Sequence, residues 1–225
     1  MWLGLRRRWH ARKIEKTLLG KYLQAPLVSH RQDWKDVTWL GVDIETTDLD
    51  PAKGEIVSIG WVPMRAGKIL LGEARQLFVT IRKEVGQSAV FHQISDDDLR
   101  HGMKASEMLA EFLQAARGSV LVFHNAQLDM AFLNKLSRRI YGAPMLSQIA
   151  DTLIWEKNKI FSHYQHIPPD TLRLHNCRRR YNLPIYPAHS ALTDALATIE
   201  LLMAQIYNMG NQVNVGDVLR KSAPF

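Results

Sequence analysis

The 225-residue chain has one cysteine, Cys177, which excludes an internal disulfide framework. It has no run of about eighteen apolar residues, the length a membrane-spanning helix requires. Its first residues also lack the apolar stretch that follows the charges of a secretory signal. These absences give the expectation of a cytoplasmic protein without a transmembrane segment. Internal repeats and low-complexity segments are missing as well, and so is any clustering of cysteine and histidine that would point to zinc. Acid is scarce near the start. Residues 1 to 40 hold nine Lys or Arg against Glu15, Asp33 and Asp36, which is +6 of the total formal charge of +7. The remaining chain is therefore almost neutral despite a sequence pI of 9.6.

What is present is enough for a substantial core. Hydrophobic residues make up 46% of the chain, and the length suits one α/β domain with an extension. The expected division is a basic helical extension and connector over 1–36, a main domain over 37–210, and a short C-terminal tail over 211–225.

Three acidic islands carry the chemistry. The run from Val37 to Val42 reads as an apolar strand, and Asp43 and Glu45, two residues apart, project from one face at its end. A second strand-like run, Ser119 to Phe123, precedes Asn125-Ala126-Gln127-Leu128-Asp129. There Leu128, Ala131, Phe132 and Leu136 recur at helical spacing, and Asp129 shares a face with Phe132 and Leu133. The third island, His189 to Asp194, opens a helical segment over about 188–208. His189 stands five residues before Asp194, which places it on the loop or first turn. Each island alone has an ordinary explanation: solvated charge at a strand end, charge near a helix N-terminus, or a loop histidine. Together they offer four carboxylates and an imidazole. Two hard divalent ions held by carboxylate oxygen neutralise charge on a scissile phosphate and on both the attacking and leaving oxygens. A histidine with pKa near neutrality takes the proton from the attacking water.

The order DxE, then His124-Asn125-Ala126 before Asp129, then HxxxxD resembles the DEDDh exonuclease family, in the branch of the proofreading epsilon subunit of bacterial DNA polymerase III. Phe91 to Ser95 and Asp194-Ala195 add to the resemblance, which spans roughly residues 37 to 208. The sister branch has tyrosine four residues before the last Asp, where this chain has Ser190.

The resemblance implies an α/β, ribonuclease H-like fold: a mixed five-stranded sheet, three antiparallel strands and then parallel ones, flanked by helices. It implies that Asp43, Glu45, Asp129 and Asp194 hold two ions, Mg²⁺ or Mn²⁺, and that His189 is the general base. The expected reaction releases nucleoside 5′-monophosphates from single-stranded DNA 3′ ends, in repair or proofreading. RNA trimming is the alternative within enzymes, and a retired nucleic-acid-binding scaffold is the alternative outside them. Thr46, Leu49 and His92 are implied contacts to the terminal nucleotide. The family usually has Gly where Asp48 stands, so a left-handed turn is expected there.

Two basic stretches remain. Residues 2–23 read as one basic helix with Trp2, Leu5, Trp9 and the Lys13 stem along one side. It suits nucleic acid, an anionic surface or a protein groove, or it packs its apolar side on the main domain. Arg173, Arg178 and Arg179, beside Arg180, are candidate phosphate contacts. Tyr181 and Tyr186 either stack on bases or fill the gap before Pro187.

Overall fold

The computed structural model describes residues 2–80, 102–161, 168, 170–187 and 190–223. The chain opens with helices α1 (Trp2–Lys13) and α2 (Leu18–Gln24). The single helix expected over 2–23 is thus two, because Thr17 caps α2: its hydroxyl accepts the Gly20 amide and donates to the Ile14 carbonyl. A Cβ on Gly20 would lie 2.1 Å from the Ile14 carbonyl oxygen, so the fold back of α2 onto α1 requires glycine.

The expectation that α1 packs its tryptophans inward fails. Arg7 and Ala11 are buried instead, while Trp2, Leu5 and Trp9 are exposed. Arg7 is held by carbonyl oxygens of Leu146, Tyr22 and Ala25, the last two at 2.8 and 3.0 Å, and its guanidinium lies over the Tyr22 ring. A buried guanidinium is tolerable only with such partners.

The sheet follows. Strand β1 (Trp39–Thr46) pairs antiparallel with β2 (Ile56–Arg65). Ala66 and Gly67, both with positive φ, turn β2 into β3 (Lys68–Ile69), the two-residue hairpin geometry that suits strand twist. One 3₁₀ turn, Leu71–Glu73, then separates β3 from β4 (Arg75–Phe78), and both pair with β2. The edge strand expected over 69–80 is therefore broken in two, which makes six strands in five positions. Helix α3 (Ala105–Ala115) buries Met108, Leu109, Phe112 and Leu113, each contributing about 1.5–3 kcal/mol by leaving water.

Strand β5 (Val120–Phe123) lies parallel to β1, helix α4 (Ala126–Tyr141) follows, and β6 (Ile149–Asp151) lies parallel to β5. Helices α5 (Thr152–Phe161), α6 (Leu174–Arg179), α7 (Ala191–Tyr207) and α8 (Val215–Lys221) complete the chain. The order across the sheet is β3-β2-β1-β5-β6, with β4 beside β2.

Alternate residues of β1 feed two cores. Leu40 and Val42 join α3 and α4 on one face, whereas Trp39 joins Ala195, Ile199 and Leu202 of α7 on the other. The outer segments also enter these cores. Leu19, Tyr22 and Leu23 pack in the first, and Val213, Val215 and Val218, from the stretch expected as a tail, pack in the second. Among the described residues no helix is long and apolar enough to cross a membrane.

Candidate active site

Strand β1 runs through the first acidic island instead of ending before it. Asp43 pairs with Gly60 and Glu45 with Ser58 across β2, so both carboxylates leave the sheet face that carries Trp39 and Gly41. Helix α7 covers that face very closely. A Cβ on Gly60 would lie 2.4 Å from the backbone of Ala191 and Leu192, and one on Gly41 would lie 2.7 Å from the Ala195 carbonyl oxygen. Two side-chain-free positions on the sheet therefore let the helix backbone settle directly onto it. Asp194 sits between those two points of approach. One carboxylate oxygen from each of Asp43, Glu45 and Asp194 lies within 4.8 Å of the other two.

Asp129 reaches the same region from the other face. It stands in the first turn of α4, whose Phe132, Leu133 and Leu136 are in the first core. Burial pushes its pKa up to about 8, and the charges of Asp151 and Glu45 add to the rise. The backbone amides of Asp129 and Ile44 pull it the other way. Asp43 is raised well above the carboxylate range, first by burial and then by Asp129, Asp194 and Glu45. Four acids at one end of β1 thus destabilise one another's charge, which a bound cation would relieve.

The donors are carboxylate oxygens alone, which fits a hard divalent ion and does not fit a thiolate or imidazole zinc site. Asp43, Glu45 and Asp194 have the spacing to hold such an ion, with Asp129 alongside.

Asp151 was not signalled by the sequence reading. Its carboxylate accepts the amides of Asn125 at 3.1 Å and Ala126 at 2.8 Å, and those of Leu153 and Ile154 at 2.9 and 3.2 Å. One side chain thereby caps both α4 and α5. It also pins Asn125, whose φ of 84° is left-handed. The strand-to-helix position of Asp151, right after β6, was the available signal. His124, just before, is fixed between the Thr152 hydroxyl at 2.8 Å and the Leu172 carbonyl at 2.7 Å, and burial lowers its pKa.

The other expected contacts divide. Thr46 is buried and donates its hydroxyl to the Asp48 carbonyl. Leu49 is 76% exposed on the turn after β1. Asp48 does not take the expected left-handed φ; its carboxylate accepts the Asp50 amide at 2.8 Å and closes the turn without one. His92 and His189 lie outside the described residues.

Arg178 is a correction. Its side chain is 3% exposed and is consumed by Glu200 at 2.8 Å and the carbonyls of Ala197 and Pro184. It anchors α6 to α7 and is not available to phosphate. Arg173 is exposed and paired with Asp170 at 2.7 Å, and Arg179 is exposed. Tyr181 and Tyr186 donate to Glu156 and Glu200, so both hydroxyls face the protein.

The exonuclease family model matches residues 40–202, which spans every described acid of the site. The chain belongs to the exonuclease family. Its acid pattern is the DEDDh, epsilon-like one. Among relatives of this exonuclease, DNA polymerase III subunit epsilon of Treponema pallidum is 27% identical over 185 residues, 80% of this chain and 84% of that protein. The PolC-type DNA polymerase III of Thermotoga petrophila is 27% identical over 176 residues, 78% of this chain but 12% of the polymerase. The exonuclease thus matches a small part of the PolC-type relatives.

Solved structures share the fold. The nuclease domain of 3′hExo, a DEDDh family member bound to rAMP, superposes with a TM-score of 0.61 at 12% identity, over 79% of this chain and 95% of that one. Escherichia coli Exonuclease I in complex with a dT13 oligonucleotide gives 0.61 at 13% identity, over 77% and 43%.

Proposed function

We propose that this chain is a cytoplasmic, metal-dependent 3′→5′ exonuclease that removes nucleoside 5′-monophosphates from single-stranded DNA 3′ ends. The observation that carries the reading is the meeting of Asp43, Glu45 and Asp194 within 4.8 Å. Asp129 completes the four carboxylates from the opposite face of the sheet. Family membership and the epsilon relative support the exonuclease chemistry.

Two divalent ions, Mg²⁺ or Mn²⁺, held by Asp43, Glu45, Asp129 and Asp194 would supply charge neutralisation at the scissile phosphate. The chain's own residues do the rest. The carboxylates fix where the phosphate rests by their placement on β1, α4 and α7. His189 accepts the proton of the attacking water, and the 3′ oxygen of the penultimate nucleotide departs as the phosphodiester bond breaks. Thr46 offers backbone contacts to the last nucleotide, Leu49 wedges against its base, and His92 adds a polar contact. Arg173 and Arg179 meet phosphates further along the strand, in keeping with sequence-independent binding.

The deciding experiment uses 5′-labelled DNA and RNA strands of one sequence, with Mg²⁺ or with EDTA. Stepwise shortening from the 3′ end, faster on DNA and absent with EDTA or in Asp43→Ala, is expected. A faster RNA ladder would transfer the reading to RNA trimming. Binding without shortening of either strand would leave only the scaffold reading.

A further inference from the structure

Helix α1 turns an unusual face to solvent. Trp2, Leu5 and Trp9, spaced three and four residues apart, form one stripe at 74%, 50% and 55% exposure. At 3.6 residues per turn, Arg6 and Lys13 fall along one flank of that stripe, and Arg8 and Arg12 along the other. All four are exposed, and the helix contains no acid. The flanking cations lie close to the rings: Lys13 Nζ is 3.6 Å from the Trp9 ring centre, and the Arg6 guanidinium is 5.9 Å from that of Trp2.

The face is rigidly presented. Arg7, on the opposite side of the helix, is clamped by the carbonyls of Leu146, Tyr22 and Ala25. The stripe therefore cannot rotate inward without breaking those bonds. It is also remote from the acids. Arg7 meets Leu146 just before β6 begins, and the charge of Arg138 acts on His10, whereas Asp129 is nine residues earlier on α4, about 14 Å along the helix.

We propose that this face docks the protein on an anionic lipid bilayer. An apolar centre of two tryptophans and a leucine with cations on both sides matches a plane: the rings sit at headgroup depth, and the Arg and Lys stems reach back to the phosphates. Leu5 at the centre has no face to stack on a base, and a nucleic-acid strand would engage a line of phosphates rather than two flanks. The surface leaves the acidic end of the sheet open to solvent while the helix is bound.

The test uses the full chain with vesicles of phosphatidylcholine alone or with about a third phosphatidylglycerol. Cosedimentation with the anionic vesicles, at least about tenfold stronger than with neutral ones and weakened by salt, is expected. Trp2→Ala with Trp9→Ala should lose about tenfold of that binding, and Arg6→Gln with Arg12→Gln and Lys13→Gln should lose the preference for anionic lipid. Lipids brominated in the acyl chain should quench part of the wild-type fluorescence and none of that of the tryptophan variant, because Trp34, Trp39, Trp61 and Trp155 are buried. Exonuclease turnover on a short free oligonucleotide should be the same in all three proteins, which separates this surface from the catalytic reading. Equal vesicle binding by wild type and the tryptophan variant, or no preference for anionic vesicles, overturns the proposal. Absent vesicle binding together with weaker oligonucleotide binding by the variant overturns it in favour of a nucleic-acid face.

Discussion

Asp151 accepts the Ala126 amide at 2.8 Å, and through that bond a residue at the end of β6 sets the start of the helix carrying Asp129. Replacing Asp151 with alanine leaves four amides without their acceptor. A loss of about 2–4 kcal/mol is expected, from a cap and from buried donors left unpaired. Asp151→Asn keeps one carbonyl oxygen and should fall between. Urea denaturation gives the stability, and turnover should fall in the same order because Asp129 loses its setting.

Gly60 offers a sharper lesion. Its missing Cβ is the space in which the Ala191 backbone sits. Gly60→Ala should displace the start of α7 by a fraction of an ångström or more, at about 1–3 kcal/mol. A misplacement of about 1 Å at a reacting centre costs about a hundredfold in rate. Single-turnover cleavage on a labelled strand reads the effect; an unchanged rate would show that α7 tolerates the shift.

The raised pKa values of Asp43 and Asp129 make a statement about pH in metal-free protein. A carboxyl whose folded pKa lies above its unfolded value stabilises the fold below about pH 4 relative to higher pH, and that stability is lost as pH rises. For Asp129 the loss runs up to about pH 8. With EDTA, these two groups should lower the melting temperature between those limits, and Asp43→Asn should raise it at pH 8, by about 0.5–2 kcal/mol. Added Mg²⁺ should remove the difference and release protons, measurable as a buffer-dependent heat of binding.

The arginines near α6 separate into two kinds. Arg178→Ala should cost about 3–5 kcal/mol, because Glu200 loses its buried partner. Arg179→Ala should leave stability unchanged and weaken oligonucleotide binding, with a shallower dependence on salt. Thermal melts and binding across a salt series distinguish them.

The acids were legible because their chemistry is written in residue type and order, and the strands and helices around them in apolar periodicity. The parallel pairing of β5 and β6 and the inward stripe of α3 followed from the same signal. Interruptions and inversions were harder to read. The break of the first helix depends on Thr17 capping and Gly20 packing, and the break between β3 and β4 depends on a 3₁₀ turn with no strong sequence mark. Arg178 looked like surface charge because an arginine run reads as solvated, and only the meeting of α6 with α7 shows its partners. Asp151 hid for a related reason: its four amide donors come from two segments that are adjacent only in the fold.

The two ends of the described chain meet beside β1. The Trp34 amide donates to the Val213 carbonyl, the Val215 amide donates to the Gln32 carbonyl, and the Trp39 indole donates to the Trp34 carbonyl at 2.8 Å. Force or a proteolytic cut at either end is thereby transmitted to the residue four places before Asp43. A fragment trimmed to the boundaries of the family match would be missing the wall against which its own catalytic strand leans.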